Sequence, residues 1–110
     1  MRRQVRGSTM LSEQAWAEIA RSLTLSPREL QIVRGIFDDC TEATIGAKLA
    51  ISPHTVHSYI DRIHHKLAVM DRSQLILRIV GEFLTLTGTV DGTLPPICTY
   101  RAASVCPLHG

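Results

Sequence analysis

A chain of 110 residues can bury one modest core, and a composition 45% hydrophobic and 20% charged excludes a collagen-like repeat and wholesale disorder. The net charge of +2 is too small to indicate a nucleic-acid partner by itself, so any such indication has to come from pattern. No window approaches the roughly 18 unbroken apolar residues of a membrane span, and the basic start from Met1 to Gly7 is not followed by the apolar stretch of a secretory signal, so a soluble, cytoplasmic protein with no membrane partner is expected.

Residues Leu11 to Leu23 set Trp16, Ile19, Ala20 and Leu23 three and four apart behind Ser12. That pattern predicts a short capped amphipathic helix, lying as a lid on the core with Trp16 as its anchor. In Leu25-Ser26-Pro27-Arg28-Glu29, Ser26 can cap a helix, Pro27 suits its first position and Glu29 closes a capping box. Leu30, Val33 and Phe37 are the expected buried stripe, and Asp38-Asp39 ends the periodicity. Thr41 can cap a brief second helix that carries Ile45 and Leu49 one turn apart.

Ser52 caps a third helix with Pro53 at its first position. There Val56, Ile60, Ile63 and Leu67 share one narrow face while His54, Ser58, Asp61 and His65 point roughly the opposite way. Asp71-Arg72-Ser73 opens a fourth helix running to about Leu84, whose apolar residues wrap most of its circumference. So apolar a helix needs more cover than one core face provides, and a homodimer through Leu75, Ile76, Ile79, Val80 and Phe83 is expected. From Thr85 the composition turns to Thr, Gly and Pro; Val90-Asp91-Gly92-Thr93 could close a hairpin, which Pro95-Pro96 interrupts. The predicted fold is all-α: a compact helix-turn-helix domain of four helices at 25–84, an N-terminal arm and short helix at 1–24, and an irregular C-terminal tail at 85–110.

Two short helices joined by a tight turn, the second with an outward polar face, meet the physical requirement for reading a major groove about 12 Å wide. Leu25-Ser26-Pro27-Arg28-Glu29, Ile45 with Leu49, Ile51-Ser52-Pro53-His54-Thr55-Val56, Ile63, Lys66-Leu67-Ala68-Val69 and Arg72 together resemble the LuxR-type helix-turn-helix. This family ends many bacterial response regulators and also occurs as free-standing small regulators. The resemblance covers about half the chain. It implies that Thr41 to Leu49 is the positioning helix, Ser52 to Leu67 the recognition helix and the last helix the dimer contact. By the same resemblance, His57, Ser58 and Asp61 would address base edges of double-stranded DNA, and Thr55, Tyr59, Arg62 and Lys66 its phosphates; His54 is a further base-contacting candidate and Thr41 a further phosphate-contacting one.

The chain departs from that family where His57 stands at a position commonly Lys and Asp61 where a basic or neutral residue is usual. Thr44 replaces a usual acidic residue, and Asp39 is nearest to an absent glycine. An Asp can accept from the amino group of cytosine, so Asp61 could select a C, whereas near phosphates it would repel. His54, His57, His64 and His65 all lie in the recognition helix, so tighter DNA binding is expected at lower pH.

Other readings of the same residues stay open. The promoter-reading region of a sigma factor uses similar Ser-Pro-Arg-Glu and Ser-Pro-x-Thr-Val patterns, although the Lys66 to Arg72 end favours LuxR. An interaction protein could use the apolar last helix to bind a regulator or RNA polymerase. The histidines could be solvated polar positions, and Arg2, Arg3 and Arg6 a solvated end or an arm on the DNA backbone. His57, Asp61 and His65 have helical metal-ligand spacing, but a metal would take two of the three from the DNA surface; Cys98, Cys106 and His109 could make three ligands, but no Cys-x-x-Cys pair supports them, and neither a metal nor another cofactor is expected. Cys40 reads as a small buried apolar group, and the odd, sparse cysteine set as reduced thiols. With no Gly-rich phosphate loop, nucleophile elbow or paired acid and base, no enzyme is expected.

Overall fold

Short polar side chains start these helices. In the computed structural model, which describes residues 6–88, five α-helices follow a 3₁₀ turn at Gly7–Met10. They are α1 (Glu13–Leu23), α2 (Pro27–Phe37), α3 (Glu42–Leu49), α4 (Pro53–Leu67) and α5 (Arg72–Gly88). Ser12, Ser26, Thr41 and Ser52 each accept the backbone N–H three residues on, at 3.0 to 3.1 Å, and the Asp71 carboxylate accepts that of Gln74 at 2.8 Å. Each such cap contributes about 1 kcal/mol by satisfying an otherwise unpaired donor. At Ser26 the capping box is complete, since Glu29 reaches back to the Ser26 N–H at 2.8 Å.

The stops are less usual. Thr24, Asp39, Ala50 and Ala68 all sit in the left-handed region, with φ between 56° and 59°. That conformation costs a side-chain-bearing residue about 1–2 kcal/mol, against the smaller entropic cost of a glycine in the unfolded chain. Ala50→Gly is therefore expected to stabilise the fold by about 0.5–1 kcal/mol. Thermal melting checks this: the midpoint should rise, and a fall would mean that Ala50 makes contacts that outweigh its strain.

The core forms where the helices converge on Trp16, Ile19, Ile32, Val33, Ile45, Val56, Ile63, Leu75 and Ile79, all essentially inaccessible to water. Two expectations change here. Helix α1 is part of the core rather than a lid on it, because Trp16 lies edge-on to Phe37 at 5.0 Å and donates its indole N–H to the Ser8 carbonyl at 2.8 Å. The buried stripe of α2 is Ile32, Val33 and Ile36, with Leu30 and Phe37 only half-buried, so the apolar face is rotated from the expected one.

Helix α5 brings the largest correction. It continues to Gly88, so residues 85–88, expected in the tail, are helical. Leu75 and Ile79, expected at a dimer contact, are fully buried inside the monomer. Ile76 and Phe83 are half-buried, and Leu77, Val80 and Leu84 carry the exposed apolar surface. The candidate hairpin at 90–93, Cys98, Cys106 and His109, and Arg2 and Arg3 lie outside the described residues.

The sequence held no expectation for the 3₁₀ turn. Ser8 donates both its N–H and its hydroxyl to Asp38, at 2.9 and 2.7 Å. A Cβ on Gly7 would overlap the Phe37 carbonyl, so only glycine lets this segment lie so close. Gly7→Ala should unseat it, break the Trp16–Ser8 bond and destabilise by roughly 1–2 kcal/mol. Fluorescence of the single tryptophan should shift to the red as water reaches the ring; unchanged emission would contradict the contact.

Candidate nucleic-acid interface

Helices α3 and α4 are joined through Ala50, Ile51 and Ser52. The turn is closed by the Ile51 N–H donating to the Gly46 carbonyl at 2.9 Å, and a Cβ on Gly46 would stand 2.6 Å from the Ile51 carbonyl oxygen. Close backbone approach at this glycine thus sets the angle between the two helices. With α3 packed beneath it, α4 buries Val56, Ile63 and Leu67. At 100° per residue, His54, His57, Ser58, Asp61, Arg62 and His65 then fall within an outward arc of about 140°, and all six are exposed.

The site residues fall into three groups. His54, His57, Ser58, Asp61 and Arg62 share the exposed face of α4; Thr41, also exposed, caps α3 beside it. Thr55 and Tyr59 flank that face half-buried, Thr55 Oγ1 at 2.9 Å from the Ser52 hydroxyl and the Tyr59 ring 5.2 Å beneath the Arg62 guanidinium. Ser58 donates to the His54 carbonyl at 3.2 Å, a weak local bond that an exposed hydroxyl can exchange.

Lys66 does not join them. Its ammonium donates to Glu29 at 2.8 Å and to the Thr24 carbonyl at 2.9 Å, so the residue expected on a phosphate instead ties α4 to the start of α2. The physical reason is that Glu29 is nearly buried and needs a cation.

Glu42, missed at the sequence level, and Arg72, read there only as part of the family pattern, complete the region. Glu42, next to the cap Thr41, brings its carboxylate 2.8 Å from Nδ1 of His57, while Asp61 lies 3.5 Å from Nε2. The Glu42 hydrogen bond first, then the charges of Asp61 and Glu42, hold the His57 pKa above its ordinary 6.5. A raised histidine pKa means that the ion pair's contribution to stability is present below about 6.5 and is lost as the pH rises through the higher folded value. Arg72, at the head of α5, donates to the Cys40 carbonyl and closes the loop between α2 and α3.

These residues edge a cleft of about 540 Å³ that also takes in Thr41, Ile60, His64 and Met70. Nε2 of His64 is buried there without a partner, so His64 lies off the exposed face. Among the described residues no three His, Cys, Asp or Glu side chains are arranged to hold a metal ion, His57, Asp61 and His65 included. Among them, too, no helix is long and apolar enough to cross a membrane.

A family model described as bacterial regulatory proteins of the luxR family matches residues 17–79. The chain belongs to this family. The luxR-family match takes in all of α2, α3 and α4 and stops within α5, while the 3₁₀ turn and the first residues of α1 lie before it. The chain is also similar to a protein of Streptomyces halstedii named "Probable HTH-type transcriptional regulator GfsR", with 35% identity over 61 residues. That alignment covers 56% of this chain and 25% of the relative, so the chain spans about a quarter of the curated relative's length. No solved structure matches the chain.

Proposed function

We propose that this luxR-family chain is a cytoplasmic, sequence-specific regulator of transcription that binds double-stranded DNA with α4 in the major groove and pairs with a second copy through the outer face of α5. The single observation that carries the reading is the geometry of α4: one side welded into the core, the other presenting six exposed polar or charged side chains. In this reading His54, His57, Ser58 and Asp61 face base edges, while Thr41, Thr55, Tyr59 and Arg62 face phosphates. Family membership and a relative named as a transcriptional regulator support it.

The dimer rests on Leu77, Val80 and Leu84, exposed along one strip of α5 with Ile76 and Phe83 half-buried beside them. Two such helices would set two α4 helices one DNA turn apart, about 34–36 Å.

Selection from random duplexes tests the whole reading. A two-fold symmetric motif, with half-sites about 10–10.5 base pairs apart, is expected. Failure to enrich any motif overturns it. Sedimentation tests the dimer separately: Leu77→Glu should yield a folded monomer, whereas a native chain that stays monomeric with and without duplex removes the pairing. If the exposed strip instead bound RNA polymerase or another regulator while duplex affinity was absent, the protein-interaction reading would replace this one.

A further inference from the structure

We propose that His57 and Asp61 act together as one reader of a single base pair, selecting guanine with its cytosine in a fixed orientation, and that Glu42 is the residue positioning that reader. The inference rests on the DNA-binding function proposed above. Its starting point is that both ring nitrogens of His57 face carboxylates, Nδ1 that of Glu42 at 2.8 Å and Nε2 that of Asp61 at 3.5 Å. Ionised carboxylates only accept hydrogen bonds, so Nδ1 donates to Glu42, and in the imidazolium form Nε2 carries a second N–H on the side of Asp61.

The two contacts are unequal. At 2.8 Å the Glu42 bond is of full strength and fixes the plane of the ring. At 3.5 Å the Asp61 contact exceeds the usual N–H···O range of about 2.7–3.2 Å, so the Nε2–H is aimed but uncommitted. The side chains of His57 and Asp61 are 57% and 69% exposed, which leaves this donor and acceptor side by side on the outward face of α4.

That spacing suits one feature of the major groove. On a G·C pair the guanine O6 acceptor and the cytosine N4 donor lie side by side, separated by their own hydrogen bond of about 2.9 Å. His57 would donate to O6 while Asp61 accepts from N4. The reversed pairs, C·G and A·T, present donor and acceptor in the opposite order and oppose like to like. A T·A pair keeps the order, but it puts the thymine methyl where guanine offers N7, a second acceptor for the cationic ring. The expected order of preference is therefore G·C, then T·A, with C·G and A·T last.

The charged and titratable groups around the ring come from three helices: Glu42 of α3, Asp61 and His64 of α4, and Arg72 of α5, whose guanidinium is held by the Cys40 carbonyl. The Glu42 hydrogen bond, then the charges of Asp61 and Glu42, raise the His57 pKa, so the second N–H persists to higher pH than on an ordinary histidine. Once that proton leaves, Nε2 becomes an acceptor beside Asp61, and guanine preference should fade.

The test repeats the random-duplex selection with the full chain, His57→Ala, Asp61→Ala and Glu42→Gln, at about pH 6 and about pH 8.5, far-UV circular dichroism verifying each fold. The native chain should enrich one position per half-site in which G·C exceeds C·G by about tenfold at the lower pH and by less at the higher. His57→Ala and Asp61→Ala should flatten that position and leave the rest of the motif. Glu42→Gln keeps a hydrogen bond but not its charge, so its guanine preference should vanish at a lower pH than in the native chain. A motif without this position, or one unchanged in His57→Ala and Asp61→Ala, overturns the composite reader but not the DNA-binding function. No motif and no salt-dependent duplex binding overturns both.

Discussion

Gly46→Ala is expected to destabilise the fold and abolish duplex binding, although alanine is the better helix former. Helix propensity alone would favour the substitution by about 1 kcal/mol, since Gly46 is interior to α3. Against that, the new Cβ would lie 2.6 Å from the Ile51 carbonyl oxygen and 3.3 Å from the Pro53 nitrogen, both backbone atoms that cannot swing aside. Overpacking of this kind costs roughly 1–3 kcal/mol and more when backbone must move, so the clash wins by about 1–2 kcal/mol. Relief requires α3 and α4 to spread, which withdraws Thr41 and Glu42 from the α4 face. Urea denaturation and a duplex titration read the two effects; a variant as stable as the native chain would mean the turn opens without cost.

Lys66→Ala should be the most damaging change on the outer part of α4, and for a reason unrelated to DNA. Glu29 has a side chain only 4% exposed; its Oε1 accepts from the Ser26 N–H and from Lys66, both at 2.8 Å. Removing one partner of a buried pair costs about 3–5 kcal/mol, and because the lysine is 35% exposed the expectation here is nearer 2–3 kcal/mol. The pH dependence gives a sharper check. Burial works to raise the Glu29 pKa, but the bonds from Lys66 and Ser26 bring it below 4.5. The pair's contribution is therefore complete above about 4.5 and is lost as the pH falls through the lower folded value. Without Lys66, burial would dominate and the carboxyl would gain a proton readily. The stability gap between native and Lys66→Ala should be widest near neutrality and should narrow below about pH 4.5. A gap independent of pH would contradict the role given to Glu29, and an undiminished stability would return Lys66 to the phosphate-contacting set.

These two cases mark the boundary of what the sequence reveals. The caps at Ser12, Ser26, Thr41 and Ser52 were legible because each acts across three residues, and the α4 stripe because one strict periodicity fills it. Ser8 with Asp38, Glu29 with Lys66, and Glu42 with His57 are 30, 37 and 15 residues apart, and no local spacing announces such pairs. Phase was illegible in α5 for another reason: with apolar residues on nearly every side, the pattern could not tell that Leu75 and Ile79 turn inward and Leu77 and Leu84 outward. On the exposed face of α4, residue types were visible at His57 and Asp61, but not that Glu42 engages the same ring.

The central claim is that the exposed face of α4 meets duplex DNA, and affinity measured against salt concentration tests it most directly. Each phosphate neutralised contributes about −0.9 to the slope of log affinity on log salt. The account predicts a steep negative slope for the full chain, and a loss of about 1.8 from it in Arg62→Ala, one phosphate from each protomer of a dimer. Absence of duplex binding at low salt, or a slope that Arg62→Ala leaves untouched, would contradict the account.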